Sequence, residues 1–257
     1  MDEIKIALST GWRFDCAPTL KDSFQLASEL DFDGLELVIN NENLFHGKNF
    51  IKNLSEKYKL PILSIHCSII SMPFLWPFKR GIKKVFNYAS FLKSPLVVIH
   101  PPYMQGYTSN AGKKLVSYLS QEQNKQNNFL ITLENFEKDN KQTYRSLEKL
   151  KEILDQFNLN LTFDTTHVGT SNYDLFEAYE IFKDKIKNIH LSNQKFETEH
   201  LPPFKGELPL DEFLKKLKFD NYKGNITLEL LYHPFVSRKR VKKDLEKSIK
   251  FIKENLQ

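Results

Sequence analysis

Histidines and carboxylates recur at one place in the chain, directly after short apolar runs. Leu63-Ser64-Ile65 is followed by His66, Val97-Val98-Ile99 by His100, and Ile131-Thr132-Leu133 by Glu134. Leu161-Thr162-Phe163 is followed by Asp164, Lys187-Asn188-Ile189 by His190, and Ile226-Thr227-Leu228 by Glu229. Glu36 stands inside an earlier run, and His46, His167 and His200 lie in segments on the same side of the pattern. Ordinary strand ends draw on Ser, Thr, Asn, Gly and Lys, so this succession calls for another explanation. Converging imidazoles and carboxylates repel one another or stay unsatisfied unless a cation or a hydrogen-bond network occupies them, and one divalent metal ion is the simplest occupant. Three carboxylates and one imidazole, Glu134, Asp164, His190 and Glu229, form a mostly oxygen donor set suited to Mn, Mg or Co and tolerable for Zn. Such an ion polarises a carbonyl or stabilises an enediolate oxygen while carboxylates on either side move protons.

The elements that must position these residues are legible as alternation. Runs at Ile4–Leu8, Leu35–Val38, Ile62–Ile65, Leu96–Ile99, Phe129–Leu133, Leu159–Phe163, Ile186–Ile189 and Ile226–Leu231 read as eight strands. Between them, amphipathic stretches at Leu20–Leu30, Phe50–Tyr58, Ile82–Leu92, Ala111–Leu119, Tyr144–Phe157, Tyr173–Phe182, Leu210–Leu217 and Val241–Ile252 read as eight helices. Continuous apolar runs separated by helices indicate parallel strands covered on both faces, and eight such units in 257 residues match a single α/β domain, a closed (β/α)8 barrel spanning 1–257. An open doubly wound sheet would call for a Gly-rich phosphate loop after an early strand. Here Ser9-Thr10-Gly11-Trp12-Arg13 offers a single glycine. In a barrel, catalytic groups sit at the C-terminal ends of strands, where the ionisable residues stand.

Composition narrows the function classes. The chain is 40% hydrophobic and 27% charged, with 37 basic and 32 acidic residues and a formal charge of +5. That surplus is too modest to imply a nucleic-acid partner by itself. The densest basic run, Arg238-Lys239-Arg240 with Lys242 and Lys243, reads as the solvated first turn of a helix, in a region where barrels often hold phosphate. No stretch approaches the ~18 apolar residues of a membrane span, and the acidic start Met1-Asp2-Glu3 does not resemble a signal peptide. Cys16 and Cys67 alone form neither a disulfide framework nor a zinc cluster, which fits a cytoplasmic location.

The chain resembles the xylose isomerase-like (β/α)8 superfamily over nearly its whole length. The resemblance rests on Phe-Asp-Gly-Leu-Glu-Leu at 32–37, Ser-Ile-His at 64–66, Val-Ile-His-Pro at 98–101, Leu-Glu-Asn at 133–135 and Phe-Asp-Thr-Thr-His at 163–167. It continues through Ile-His-Leu-Ser at 189–192, His-Leu-Pro-Pro-Phe-Lys-Gly at 200–206 and Leu-Glu-Leu at 228–230. Its isomerase and epimerase branch implies one divalent metal held by Glu134, Asp164, His190 and Glu229. Glu134 and Glu229 would double as the acid and base pair of a carboxylate-mediated proton transfer through a metal-stabilised enediolate. The substrate is then a sugar or sugar phosphate. His66, His100, His167, His200, Glu36 and Trp12 are candidate contacts for it, and Phe74, Trp76, Phe78 and Tyr103 could add an apolar wall.

The endonuclease IV branch is similar as well. By position, its three-zinc site would draw on His66, His100, Glu134, Asp164, His167, His190, His200 and Glu229, while Thr198 stands where that family has an aspartate ligand. The glycine-rich segment after its fifth-strand glutamate is replaced here by Asn135 to Asn140. The loop after His200 looks more like the epimerase branch, with Phe204 in place of a glycine. A non-catalytic carbohydrate-binding barrel is the third reading, and homo-oligomerisation is open under all three.

Overall fold

The computed structural model describes residues 4–11, 20–39, 41–67, 78–102, 106–135, 147–171, 173–196, 198–233 and 235–257. Eight parallel strands close into a barrel: β1 (Lys5–Ser9), β2 (Gly34–Val38), β3 (Ile62–Cys67), β4 (Leu96–Ile99), β5 (Leu130–Glu134), β6 (Asn160–Asp164), β7 (Ile186–Leu191) and β10 (Asn225–Leu228). They follow one another around the ring in sequence order, with β10 pairing β7 on one side and β1 on the other. The helices that cover the ring are α1 (Leu20–Glu29), α2 (Asn41–Tyr58), α3 (Phe78–Leu92), α4 (Asn110–Lys125), α5 (Leu147–Gln156), α7 (Leu175–Phe182), α8 (Leu210–Phe219) and α9 (Arg238–Leu256).

The core is the layer between strands and helices. Leu35, Leu37, Ile65, Ile99, Ile131, Leu133, Leu161, Phe163, Ile189, Leu191, Ile226 and Leu228 turn outward into one apolar cluster with helix residues such as Phe24, Leu115, Leu154, Phe182, Phe213 and Leu245. Each fully buried Leu, Ile or Phe contributes about 1.5–3 kcal/mol relative to exposure, so this layer carries most of the stability. The alternate strand positions are buried and polar: Ser64, Thr132, Thr162, Asn188 and Thr227. Several of the runs read above as continuous apolar strands therefore alternate, and the barrel interior combines these polar side chains with the apolar Ala7 of β1 and Val98 of β4. The Thr132 and Thr162 hydroxyls, for example, meet at 2.7 Å.

Side-chain caps set the starts of α4, α7 and α9. Ser109 accepts from Gly112 N, Asp174 from Phe176 N and Glu177 N, and Ser237 from Arg240 N. The basic run does form the first turn of α9, as its composition suggests. It is paired: Arg240 meets Asp244 at 3.2 Å, Lys242 meets Glu29 at 2.8 Å, and Arg238 lies 3.7 Å from Asp22. The last strand ends at Leu228, three residues earlier than its apolar run, because Leu231 N turns away to His200 O. Two features have no counterpart in the sequence reading: the short helix α6 (Thr165–Thr170) and the antiparallel hairpin β8 (Asn193–Lys195) and β9 (Thr198–Leu201). Both stand on the C-terminal rim. No helix among the described residues is long and apolar enough to cross a membrane.

Candidate metal centre and active site

The C-terminal rim gathers the ionisable residues. β6 and β7 pair Asp164 with His190, and β7 and β10 pair His190 with Thr227, which places Glu229 one step further along the rim. Glu134 arrives from β5. Glu134, Asp164, His190 and Glu229 each offer a ligand atom, and these atoms all lie within 4.8 Å of one another. His190 Nδ1 is the hub, 2.8 Å from Glu229 Oε2, 3.3 Å from Glu134 Oε1 and 3.8 Å from Asp164 Oδ2.

Charge is concentrated here out of water. Burial opposes ionisation of Glu134, but His100, His190 and His66 outweigh it and hold its carboxyl well below the usual range. Glu229 is likewise held low, by His190 first. Burial pulls His190 down, yet Glu229, Glu36 and Glu134 raise it well above an ordinary imidazole. Asp164 is pushed up by burial. Its Oδ2 is buried with no hydrogen-bond partner among the described residues, the condition that a cation relieves. One imidazole, three carboxylates and an orphaned carboxylate oxygen fit a divalent metal ion. Such ions take oxygen or nitrogen ligands at about 2.0–2.2 Å, so small side-chain rotations would close the shell.

A second trio shares Glu134. His66 Nε2 and His100 Nε2 are 2.7 Å apart and lie 3.1 and 2.6 Å from Glu134 Oε2. Burial lowers His100, whereas His66, opposed by burial, is raised by Glu134, Glu36 and Glu229.

His167 reaches the cluster from α6. Asp164 both ends β6 and caps that helix, its Oδ1 accepting from His167 N at 2.7 Å. His167 Nδ1 lies 2.8 Å from the Asn135 carbonyl, which can only accept, so Nδ1 carries a proton. Buried against Asp164 and Glu134, this imidazole is raised to about 9. His200 sits on β9 in the left-handed region (φ 50°), with Nδ1 3.1 Å from Ser192 Oγ and its ring 5.4 Å from that of His167.

Several supporting residues escaped the sequence reading. The Asn135 side chain clamps Asp164 by donating to its carbonyl at 2.9 Å and accepting from its N–H at 2.8 Å. The Tyr107 hydroxyl donates to Ile99 O at 2.6 Å and accepts from Glu134 N at 3.2 Å, tying the ends of β4 and β5. Asn193 accepts from Gln194 N and Leu208 N and donates to Pro203 O, fixing both ends of the segment that carries His200. For Asn135 the signal available was adjacency, since it directly follows the Leu-Glu pair of the site.

Glu36 is drawn into the centre from below, fully buried, with Oε2 3.0 Å from His190 Nε2. Trp12, Arg13, Phe74, Trp76 and Tyr103 fall outside the described residues, as does the side chain of Phe78. His46 stacks on Phe50 and His233 packs at a tilt against Phe235, and neither belongs to the cluster. Lys205 is held by the buried Asp244 at 2.8 Å. Cys67 is buried, and desolvation pushes its thiol up to about 12, which leaves it unreactive.

Comparison with known proteins follows the same lines. Residues 24–255 match the family model described as the xylose isomerase-like TIM barrel. An uncharacterised protein of Mycobacterium bovis is 23% identical over 98% of both chains. A probable endonuclease 4 of Mesomycoplasma hyopneumoniae is 26% identical over 62% of this chain and 63% of its own. Among solved structures, the D-allulose 3-epimerase of Methylomonas sp. in complex with D-allulose superposes with a TM-score of 0.78 at 15% identity, covering 99% of this chain and 98% of that one.

Proposed function

The chain belongs to the xylose isomerase-like TIM barrel family, and from that premise we propose that it is a metal-dependent isomerase or epimerase of a sugar or sugar phosphate. The observation that carries this reading is the convergence of Glu134, Asp164, His190 and Glu229 within 4.8 Å at the open end of the barrel. These four residues would hold one divalent cation, of the class Mn, Co, Mg or Zn. When bound, that ion would supply Lewis-acid polarisation of a substrate carbonyl.

The remaining chemistry belongs to the protein. Glu134 and Glu229 flank His190, and both carboxyls are held ionised at neutral pH, as bases must be. One of them takes the proton α to the sugar carbonyl. The other, once it has taken up a proton from water or a substrate hydroxyl, returns it to the neighbouring carbon in isomerisation, or to the opposite face of the same carbon in epimerisation. His167, its Nδ1 held by the Asn135 carbonyl, would orient a substrate oxygen together with His100, His66 and His200. The buried unreactive thiol of Cys67 agrees with a cytoplasmic enzyme.

The reading is tested by metal analysis of protein purified without chelator, followed by turnover on a panel of ketoses and aldoses, free and phosphorylated. One ion per chain and metal-dependent turnover of a sugar are expected. Failure of every sugar to react with any of the four metals would sink it.

One observation favours a second reading. His66, His100 and Glu134 also offer ligand atoms within 4.8 Å of one another, which would accommodate a further cation bridged by Glu134. A zinc-dependent nuclease of abasic DNA would use such a site. Two or three zincs per chain and salt-sensitive incision of abasic duplex DNA would replace the first reading with this one.

A further inference from the structure

The buried floor of the site points to a function for Glu36 that differs from substrate contact. Glu36 is fully buried below the rim, and its Oε2 accepts three hydrogen bonds. The donors are Ser64 Oγ at 2.7 Å, His190 Nε2 at 3.0 Å and Asn188 Nδ2 at 3.4 Å. The direction of each bond is fixed by its neighbours. Thr227 Oγ1 donates to Asn188 Oδ1 at 3.1 Å, so the Asn188 amide must turn its NH2 toward Glu36. An ionised carboxylate only accepts, so His190 must carry its proton on Nε2. Nδ1, the atom that faces Glu229, Glu134 and Asp164, is then the nitrogen that gives up its proton when a cation binds.

We propose that Glu36 is a positioning residue for the metal centre: the chain Thr227, Asn188, Glu36 locks His190 in the Nε2–H tautomer and aims Nδ1 at the cation. The proposal rests on the reading that His190 is a metal ligand. A ligating imidazole needs one nitrogen free and the ring held still, and a carboxylate on the far nitrogen does both. The four members come from β2, β7 and β10, so three strands of the closed ring fix one rotamer. The other oxygen, Oε1, lies 3.6 Å from His66 Nδ1, outside hydrogen-bond range, which leaves His190 as the imidazole that Glu36 holds.

The test uses Zn2+, which is diamagnetic, with the full chain. Nitrogen-15 NMR of the zinc-loaded wild-type protein should show His190 protonated at Nε2 and coordinating through Nδ1. Zinc affinity, read by competition with a chromophoric chelator, should fall about 10–100-fold in Glu36→Leu. It should fall less in Glu36→Gln, whose amide oxygen can replace Oε2, and Glu36→Gln should keep the Nε2–H tautomer. A proton on Nδ1 of His190 in the loaded wild-type protein would overturn the proposal without any variant, which matters if Glu36→Leu does not fold. Zinc binding by a folded Glu36→Leu that matches wild type would also overturn it while leaving the metal-centre reading intact. Absence of zinc binding by the wild-type protein would remove both.

Discussion

Barrel strands that carry polar interior positions have two unlike faces, and β5 displays the contrast over four residues. Ile131 and Leu133 enter the apolar layer under the helices, whereas Thr132 bonds across the interior to Thr162 and Glu134 reaches the rim cluster. The outer face is held by many weak, non-directional contacts that share the load. The inner face is held by single hydrogen bonds with assigned donors and acceptors. The first tolerates reshaping and the second does not, so damage to each should appear in a different measurement.

The sharpest break is Glu134→Gln, which removes both a proposed ligand and a proposed proton carrier. Turnover should fall by about 10²–10⁴-fold, and the metal-free protein should also melt lower, because the imidazoles around Glu134 lose their counter-charge. Retained turnover would take Glu134 out of the mechanism. Phe163→Ala attacks the opposite face of the strand that ends in Asp164. It should cost about 3–5 kcal/mol in denaturant unfolding, because Phe163 is fully buried against Tyr179 and Phe213, with zinc stoichiometry unchanged in the folded fraction.

A third contrast is pH. His190 is raised well above its ordinary value of 6.5, so at neutral pH a cation must displace its Nδ1 proton. Metal affinity should therefore rise as pH rises, about tenfold per pH unit for each proton released, checked by calorimetry in buffers of differing ionisation heat. The metal-free fold should respond in the opposite sense. His167, raised from 6.5 to about 9, stabilises fully below pH 6.5, and that contribution fades as pH climbs through 9. The smallest effect should be Leu133→Met, a volume-conserving change on the outer face, at under about 1.5 kcal/mol and with no effect on metal affinity.

The same contrast explains what could be read from the sequence. The outer face is a pattern property, so eight strands and their covering helices were visible from apolar runs alone, and the ring closes as that pattern required. The six ionisable residues following those runs marked the rim for the same reason. The polar inner layer was hidden because Ser64, Thr132, Thr162 and Thr227 are ordinary strand residues, so strands with two faces read as uniformly apolar. Helix α6 and the β8–β9 hairpin were hidden because six, three and four residues are too few to show a period. Asn135 and Asn193 were hidden because asparagine at a strand end is unremarkable until its partners are known. Only tertiary structure shows that one clamps Asp164 and the other gathers a loop.

That gathered loop has a consequence for redesign. The Asn193 amide anchors the segment at Gln194 N, Pro203 O and Leu208 N, and a side chain at Gly206 would collide with it. The stretch from 194 to 207 is thus an interchangeable cassette with both ends fastened to one residue. Its outer tip, where Phe196 is almost fully exposed, can be lengthened or recoded to admit other ligands without moving the barrel. Asn193, Gly206 and His200 are the positions that such a graft has to keep.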